Sequence, residues 1–187
     1  MKLPSVVPKD VIDDLLNTAA AAPQGSFVEV GVYLGGTGWA LAQLAEQQRR
    51  KIYLYDTFEG IPYKGVLDIH DVGDFGEHVD YQSIKDAIPY AEVVKGIFPR
   101  SAVPMEPIAF VHLDCDQYKS TIDSWNYLKD KLVPGAIIWF DDGIGDSRRP
   151  QPGLHRASRG GGAVQSGGDH WRHRGAEAQV VARGCPG

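Results

Sequence analysis

Cysteine is scarce in this 187-residue sequence: only Cys115 and Cys185 occur, far apart and in unlike contexts. A disulfide framework is therefore excluded as the organising device. No apolar run reaches the length of a membrane span, and the N-terminus lacks a basic-then-apolar leader, so a membrane partner is not expected and a cytoplasmic location is. Cations are also few where it matters. Residues 1–145 hold 12 Lys and Arg against 21 Asp and Glu, a net charge of −9. An acidic body of that kind argues against nucleic acid as a partner. The last 42 residues, 146–187, lack Ile, Phe, Tyr, Lys, Met, Asn and Thr and hold a single leucine, Leu154. They are rich in Gly and Arg instead, so this tail is expected to be disordered and to contribute no strands. A reading-frame shift in GC-rich coding DNA would produce the same composition. What remains, residues 1–145, is long enough for one domain with a substantial core.

The most informative stretch is Phe27-Val28-Glu29-Val30-Gly31-Val32-Tyr33-Leu34-Gly35-Gly36-Thr37-Gly38. It reads as a buried strand, a glycine-rich turn and the start of a helix, whose bare N–H groups face the turn. Around it, helices alternate with strands. Helices are expected over 8–22, 37–47, 81–88 and 120–131; strands over 27–30, 52–55, 91–95, 108–113 and 136–140, with Val133-Pro134-Gly135 as a turn. The arginines at 49 and 50 suit the end of the second helix. This alternation predicts an α/β, Rossmann-like fold: a mostly parallel sheet with helices on both faces. Residues 57–80 lose all periodicity, which marks a long functional loop, a candidate lid.

In such sheets ligands sit beyond the carboxyl ends of the strands. Four strands here end at Gly31, Asp56, Asp114 and Asp141. Asp56, 25 residues after Gly31, suits the two hydroxyls of a ribose; its alternative role is to cap the turn that follows. Asp114, Asp141 and Asp142 end adjacent strands, and converging carboxylates repel unless a divalent cation neutralises them. All-oxygen donors suit magnesium or calcium; solvated strand-end turns are the alternative. Asp116 either accepts a proton from a substrate hydroxyl or caps the next helix. His112, inside an apolar strand, reads as a core residue. His70 and His78 lie on the loop, and Cys115 is a small residue at a strand end. A nicotinamide-dependent oxidoreductase is disfavoured because Tyr33 stands where a Gly-x-Gly-x-x-Gly turn needs glycine. A non-enzymatic nucleotide-binding module is the further alternative.

Residues 27–36 resemble the first motif of class I S-adenosylmethionine-dependent methyltransferases. Asp56-Thr57-Phe58-Glu59-Gly60-Ile61-Pro62 is similar to the segment after the second strand in the macrocin O-methyltransferase family, which methylates sugar hydroxyls on antibiotics. Leu113-Asp114-Cys115-Asp116-Gln117-Tyr118-Lys119-Ser120-Thr121 also resembles that family, whose usual residue at position 115 is glycine. Leu132–Gly135 and Phe140-Asp141-Asp142-Gly143 match its next segment. The resemblance spans about 25–145. It implies an S-adenosylmethionine-dependent, magnesium-assisted O-methyltransferase acting on a hydroxyl of a small metabolite such as a sugar. Glu29, Gly31 and Gly35 would shape the methionine pocket, Asp56 would hold the ribose, Asp114, Asp141 and Asp142 would bind magnesium, and Asp116 would be the general base. Relatives of this type are often homo-oligomers. A complete fold of this class also has two further strands, usually an antiparallel pair at one sheet edge; the composition of 146–187 leads us to expect these C-terminal edge strands to be missing.

Overall fold

The computed structural model describes residues 2–66, 68–141, 169–173 and 176–182. In chain order the elements are α1 (Lys9–Ala20), β1 (Ser26–Val30), α2 (Gly36–Gln47), β2 (Ile52–Asp56), α3 (Tyr81–Ala87), β3 (Glu92–Lys95), β4 (Ile108–Leu113), α4 (Tyr118–Leu128), β5 (Leu132–Phe140), β6 (Asp169–His173) and β7 (Ala176–Ala182). All strands join one sheet in the order β3-β2-β1-β4-β5-β7-β6. Every pairing is parallel except that of β6 with β7. The fold is the Rossmann-like α/β class expected from the alternation of elements.

β1 and β4 lie at the centre and are buried along their whole length. A strand covered on both faces needs no polar alternation, which is why these two read as nearly continuous apolar runs. Successive side chains still point to opposite faces. Phe27, Leu54, Phe110 and Trp139 pack on one face with Leu15 and Ala19 of α1, Leu41 and Ala45 of α2, and Ile84 of α3. Val28, Val30, Tyr55, Val111 and Ile138 pack on the other with Phe98 and with Leu128 of α4. Phe27 and Phe110 meet edge to face, 5.6 Å between centroids. Each such fully buried side chain contributes about 1.5–3 kcal/mol relative to exposure.

Three expectations are corrected. The turn at Val133-Pro134-Gly135 lies inside β5. The two-residue step from Ile108 to Phe110 faces a five-residue step from Leu132 to Ile137, so the intervening residues bow out as a bulge around Gly135, at φ 79°. Proline, which has no N–H, and a left-handed glycine are tolerated at such an irregularity. Arg49 and Arg50 lie beyond the last residue of α2. The Arg50 side chain reaches instead to the carbonyls of Ala22 and Pro23, just after α1, and its guanidinium stacks on Phe27.

The third correction concerns the edge strands, which are present. β6 and β7 come from within the 146–187 tail and form an antiparallel pair at the sheet edge. β7 pairs with β5 along Ala136–Phe140, so β5 is not left as an open edge. Composition over 42 residues hides this, because a strand needs only a few residues of the right size. Ala178 is buried and, with Val180, packs on the α4 face, while Val181 packs on the α1–α2 face. The unpaired backbone of β5 supplies the rest of the template. The remainder of the tail lies outside the described residues. Among those described, no helix is long and apolar enough to cross a membrane.

Burial pushes the Tyr55 phenol up to about 12, with the Val103 backbone partly opposing the shift. A raised phenol favours the folded state while it is protonated. That contribution is complete below the unfolded value near 10 and is lost as pH rises towards 12. Denaturant melts between pH 9 and 12 are expected to show Tyr55→Phe losing stability less steeply than the parent, by up to about 1.4 kcal/mol per pH unit.

Candidate active site

The strand order reverses between β1 and β4, which opens a crevice at their carboxyl ends. Parallel hydrogen bonding continues one residue past the strands. Gly96 N–H donates to Asp56 O (2.8 Å), Gly31 N–H to Tyr55 O (2.9 Å), Asp114 N–H to Val30 O (2.9 Å) and Asp141 N–H to Leu113 O (3.1 Å). Gly96, Asp56, Gly31, Asp114 and Asp141 therefore stand side by side along one edge of the sheet. Gly31 is irreplaceable in this row. A Cβ built on it falls 1.7 Å from the carbonyl oxygen of Asp114, and its φ is +98°.

Asp56 closes the turn. Its Oδ2 accepts from Val32 N–H (2.7 Å) and Tyr33 N–H (2.9 Å), and its Oδ1 from Phe58 N–H (2.7 Å). The Thr57 hydroxyl makes a longer 3.3 Å contact to Oδ1. Tyr33 and Phe58 both sit at positive φ, 49° and 53°, and the carboxylate bonds hold them there. The turn-capping role is therefore real, and the carboxylate also borders the cavity.

Glu29 works from beneath. It is fully buried, and His112 Nδ1 donates to its Oε1 at 2.8 Å. His112 is the core residue the sequence suggests, and a buried carboxylate holds it. Burial pulls its pKa down, yet the Glu29 hydrogen bond and charge, with the charges of Asp114 and Asp141, raise it overall. Gly38 lets α2 approach this pair, since a Cβ there would lie 2.6 Å from Glu29 Oε2. The glycines at 35 and 36 make room for other protein atoms: a Cβ on Gly35 would strike Leu3, and one on Gly36 would strike Ser5.

The 57–80 loop is fastened over the row. Asp68 is buried; its Oδ2 accepts from Gly65 N–H and its Oδ1 from Tyr118 N–H at 2.8 Å, the first residue of α4. The Gln117 amide donates to Tyr63 O, and the Tyr63 and Ser120 hydroxyls are 2.8 Å apart. The N-cap position of α4 is Gln117, and Asp116 precedes it at φ 55°.

These parts enclose a cavity of about 300 Å³. Gly31, Asp56, Asp114, Asp116 and Asp141 all line it, together with residues 4–8 of the N-terminal segment and Gly96–Phe98 after β3. Glu29 and Gly35 are not among its lining residues. Asp142 lies outside the described residues, and no group of three His, Cys, Asp or Glu side chains able to hold a metal occurs among those described. Asp114 and Asp141 do present hard oxygen donors from neighbouring strand ends, which suits magnesium chemistry. Sequence reasoning missed the N-terminal segment and the Asp68 anchor. Asp68 leaves a faint signal, an acid near a glycine in an otherwise aperiodic stretch; residues 4–8 leave none.

The sequence model of the macrocin-O-methyltransferase (TylF) family matches residues 9–149. The chain belongs to this family of O-methyltransferases. A member of the same chemistry from Streptomyces olivaceus, 8-demethyl-8-(2,3-dimethoxy-alpha-L-rhamnosyl)-tetracenomycin-C 4'-O-methyltransferase, is 27% identical over 183 residues, covering 84% of this chain and 69% of that protein. Among solved structures the fold is similar to the O-methyltransferase NovP (TM-score 0.61, 20% identity, 75% of this chain and 67% of that one). It is also similar to the calicheamicin methyltransferase CalS11 (TM-score 0.58, 22% identity, 71% and 62%). The enzyme reading thus stands over the binding-module and oxidoreductase alternatives.

Gly31→Ala is expected to lower stability by roughly 3 kcal/mol or more, because two backbones must separate; thermal melts with and without the substitution check it. Asp68→Ala is expected to cost about 1–2 kcal/mol, as loss of a helix cap does, and to accelerate proteolytic cleavage within 57–80.

Proposed function

We propose that this enzyme transfers a methyl group from S-adenosylmethionine to a sugar hydroxyl, with magnesium assisting. The observation that carries the reading is the row of Asp56, Gly31, Asp114 and Asp141, with Asp116 beside it, lining one cavity in a chain of this family. The name of the Streptomyces olivaceus relative, a rhamnosyl 4'-O-methyltransferase, supports a sugar as the acceptor. When bound, S-adenosylmethionine supplies a methyl carbon made electrophilic by its sulfonium, so the protein's task is chiefly alignment.

Asp56 takes the ribose hydroxyls. Three of its hydrogen bonds are short and belong to the turn; the 3.3 Å Thr57 contact is the one a ribose hydroxyl replaces. Gly31, with no side chain, leaves the methionine end free to lie close to the backbone. Asp114 and Asp141, joined by Asp142, would hold the magnesium, whose charge lowers the pKa of a bound hydroxyl. Asp116 accepts the proton as the hydroxyl oxygen bonds to the methyl carbon and the carbon–sulfur bond breaks. The loop, fastened by Asp68 and Tyr63, keeps water out.

The test is kinetic and calorimetric. Asp116→Asn is expected to lower kcat by about 10²–10⁴-fold while S-adenosylmethionine affinity stays unchanged in calorimetric titration. Asp56→Ala is expected to weaken that affinity by at least about tenfold. Chelation is expected to remove turnover, with magnesium restoring it in the parent and not in Asp114→Ala. Full turnover in chelator would remove the metal from the reading.

A further inference from the structure

Three polar residues sit one pleat beneath the site row. On the α1–α2 face the sheet is stacked in layers two residues apart. The lower layer holds Ile52, Phe27, Phe110 and Ile137, side by side across β2, β1, β4 and β5. The upper layer is the row of Asp56, Gly31, Asp114 and Asp141. Between them the pairing aligns Leu54, Glu29, His112, Trp139 and, on β7, Val181. The two ends of this middle layer are apolar. The three residues on the central strands carry polar atoms, and each stands two positions before Gly31, Asp114 or Asp141. All three are buried.

Their hydrogen bonding is half complete. His112 Nδ1 and Glu29 Oε1 are 2.8 Å apart. Among the described residues, Glu29 Oε2, His112 Nε2 and Trp139 Nε1 are buried without a hydrogen-bond partner. Such atoms are costly to leave unmet, and here three of them fall on neighbouring strands and one face. The layer itself offers no relief, because Leu54 flanks Glu29 and Val181 flanks Trp139. From α2, Gly38 faces Glu29 Oε2 without a side chain. An indole N–H only donates, a carboxylate only accepts, and an imidazole nitrogen does either. Water both donates and accepts, so it satisfies this set whichever ring nitrogen carries the proton. Enclosed waters typically make about three bonds to buried groups of this kind. The layer also has a register to keep. Beyond its bulge, β5 pairs with β4 over only four residues, Ile137–Phe140 against Phe110–Leu113. A two-residue slip of that short ladder would carry Asp141 about 6.6 Å along from Asp114. Apolar side chains tolerate a slip that keeps their face; a hydrogen-bonded polar set does not.

We propose that Glu29, His112 and Trp139 are positioning residues, joined through enclosed water into one bridge across β1, β4 and β5 that holds Asp114 and Asp141 at their working separation. The bridge is a water-binding site inside the fold, and it acts on the reaction only through those two aspartates. Its effect on turnover rests on the methyl-transfer reading above; its existence does not.

The test separates the bridge from the chemistry. In the nitrogen–proton correlation spectrum of the full chain, the Trp139 indole signal is assigned by its loss in Trp139→Phe. That N–H is expected to show a nuclear Overhauser contact to water, and its proton to shift in His112→Asn, which keeps a donor towards Glu29 and deletes Nε2. Both variants are expected to melt cooperatively, to lower kcat about 10–100-fold and to keep S-adenosylhomocysteine affinity within about twofold. A loss of packing alone would lower stability and that affinity together. The double variant is expected to be no slower than the worse single one, since either substitution breaks the same bridge. An indole N–H with no contact to water overturns the proposal, as do losses that multiply in the double variant. Should Trp139→Phe not melt cooperatively, the indole shift and the kcat of His112→Asn decide. Water contact in a parent that transfers no methyl group would strike the methyl-transfer reading and leave the bridge standing.

Discussion

Gly31 carries no side chain, and the carbonyl of Asp114 occupies the place where one would begin, 1.7 Å from the position of a Cβ. The two strands that run apart in sequence order thus touch at their ends, and everything chemical in the molecule is arranged around that contact. It brings the turn after β1 against the acids after β4. It leaves the α2 N-terminus facing a space bounded by Asp56 on one side and Asp141 on the other. The tolerance here is nearly zero, because both partners are backbone and neither can rotate away.

The same region gathers strained and charged groups. Tyr33, Phe58 and Asp116 all adopt left-handed conformations that non-glycine residues seldom accept. Each lies two or three residues past a strand end, where a turn must bend sharply to present its side chain. Asp56 holds two of these positions through three backbone N–H bonds. Below, the buried Glu29–His112 pair fixes the floor between β1 and β4. A site that must align two reactants benefits from such a rigid base.

The central sheet is legible in the sequence because burial on both faces leaves unbroken apolar runs, and because each run stops at glycine or aspartate. That is why Gly31, Asp56, Asp114 and Asp141 can be picked out before any coordinates. The failures have equally physical causes. Val133-Pro134-Gly135 carries true turn chemistry, but β5 absorbs it as a bulge against β4. Ala178, Val180 and Val181 are too few to lift a Gly- and Arg-rich tail above the composition threshold, yet pairing with β5 needs no more. Gly36 lines the cavity, but Gly35 and Gly36 also admit Leu3 and Ser5, a long-range contact that local pattern cannot encode. Asp68 is the sharpest case: its partner is a backbone N–H fifty positions away.

That partner gives Asp68 two duties at once. It tethers the loop and it satisfies the first N–H of α4, so the loop cannot lift without stripping the helix of its end. Opening the cavity is therefore a small unfolding event at the start of α4, next to Asp116, and not the swing of an independent flap. Exchange of ligands inherits the temperature and denaturant sensitivity of a helix terminus, and Asp116 loosens in the same motion that opens the cavity.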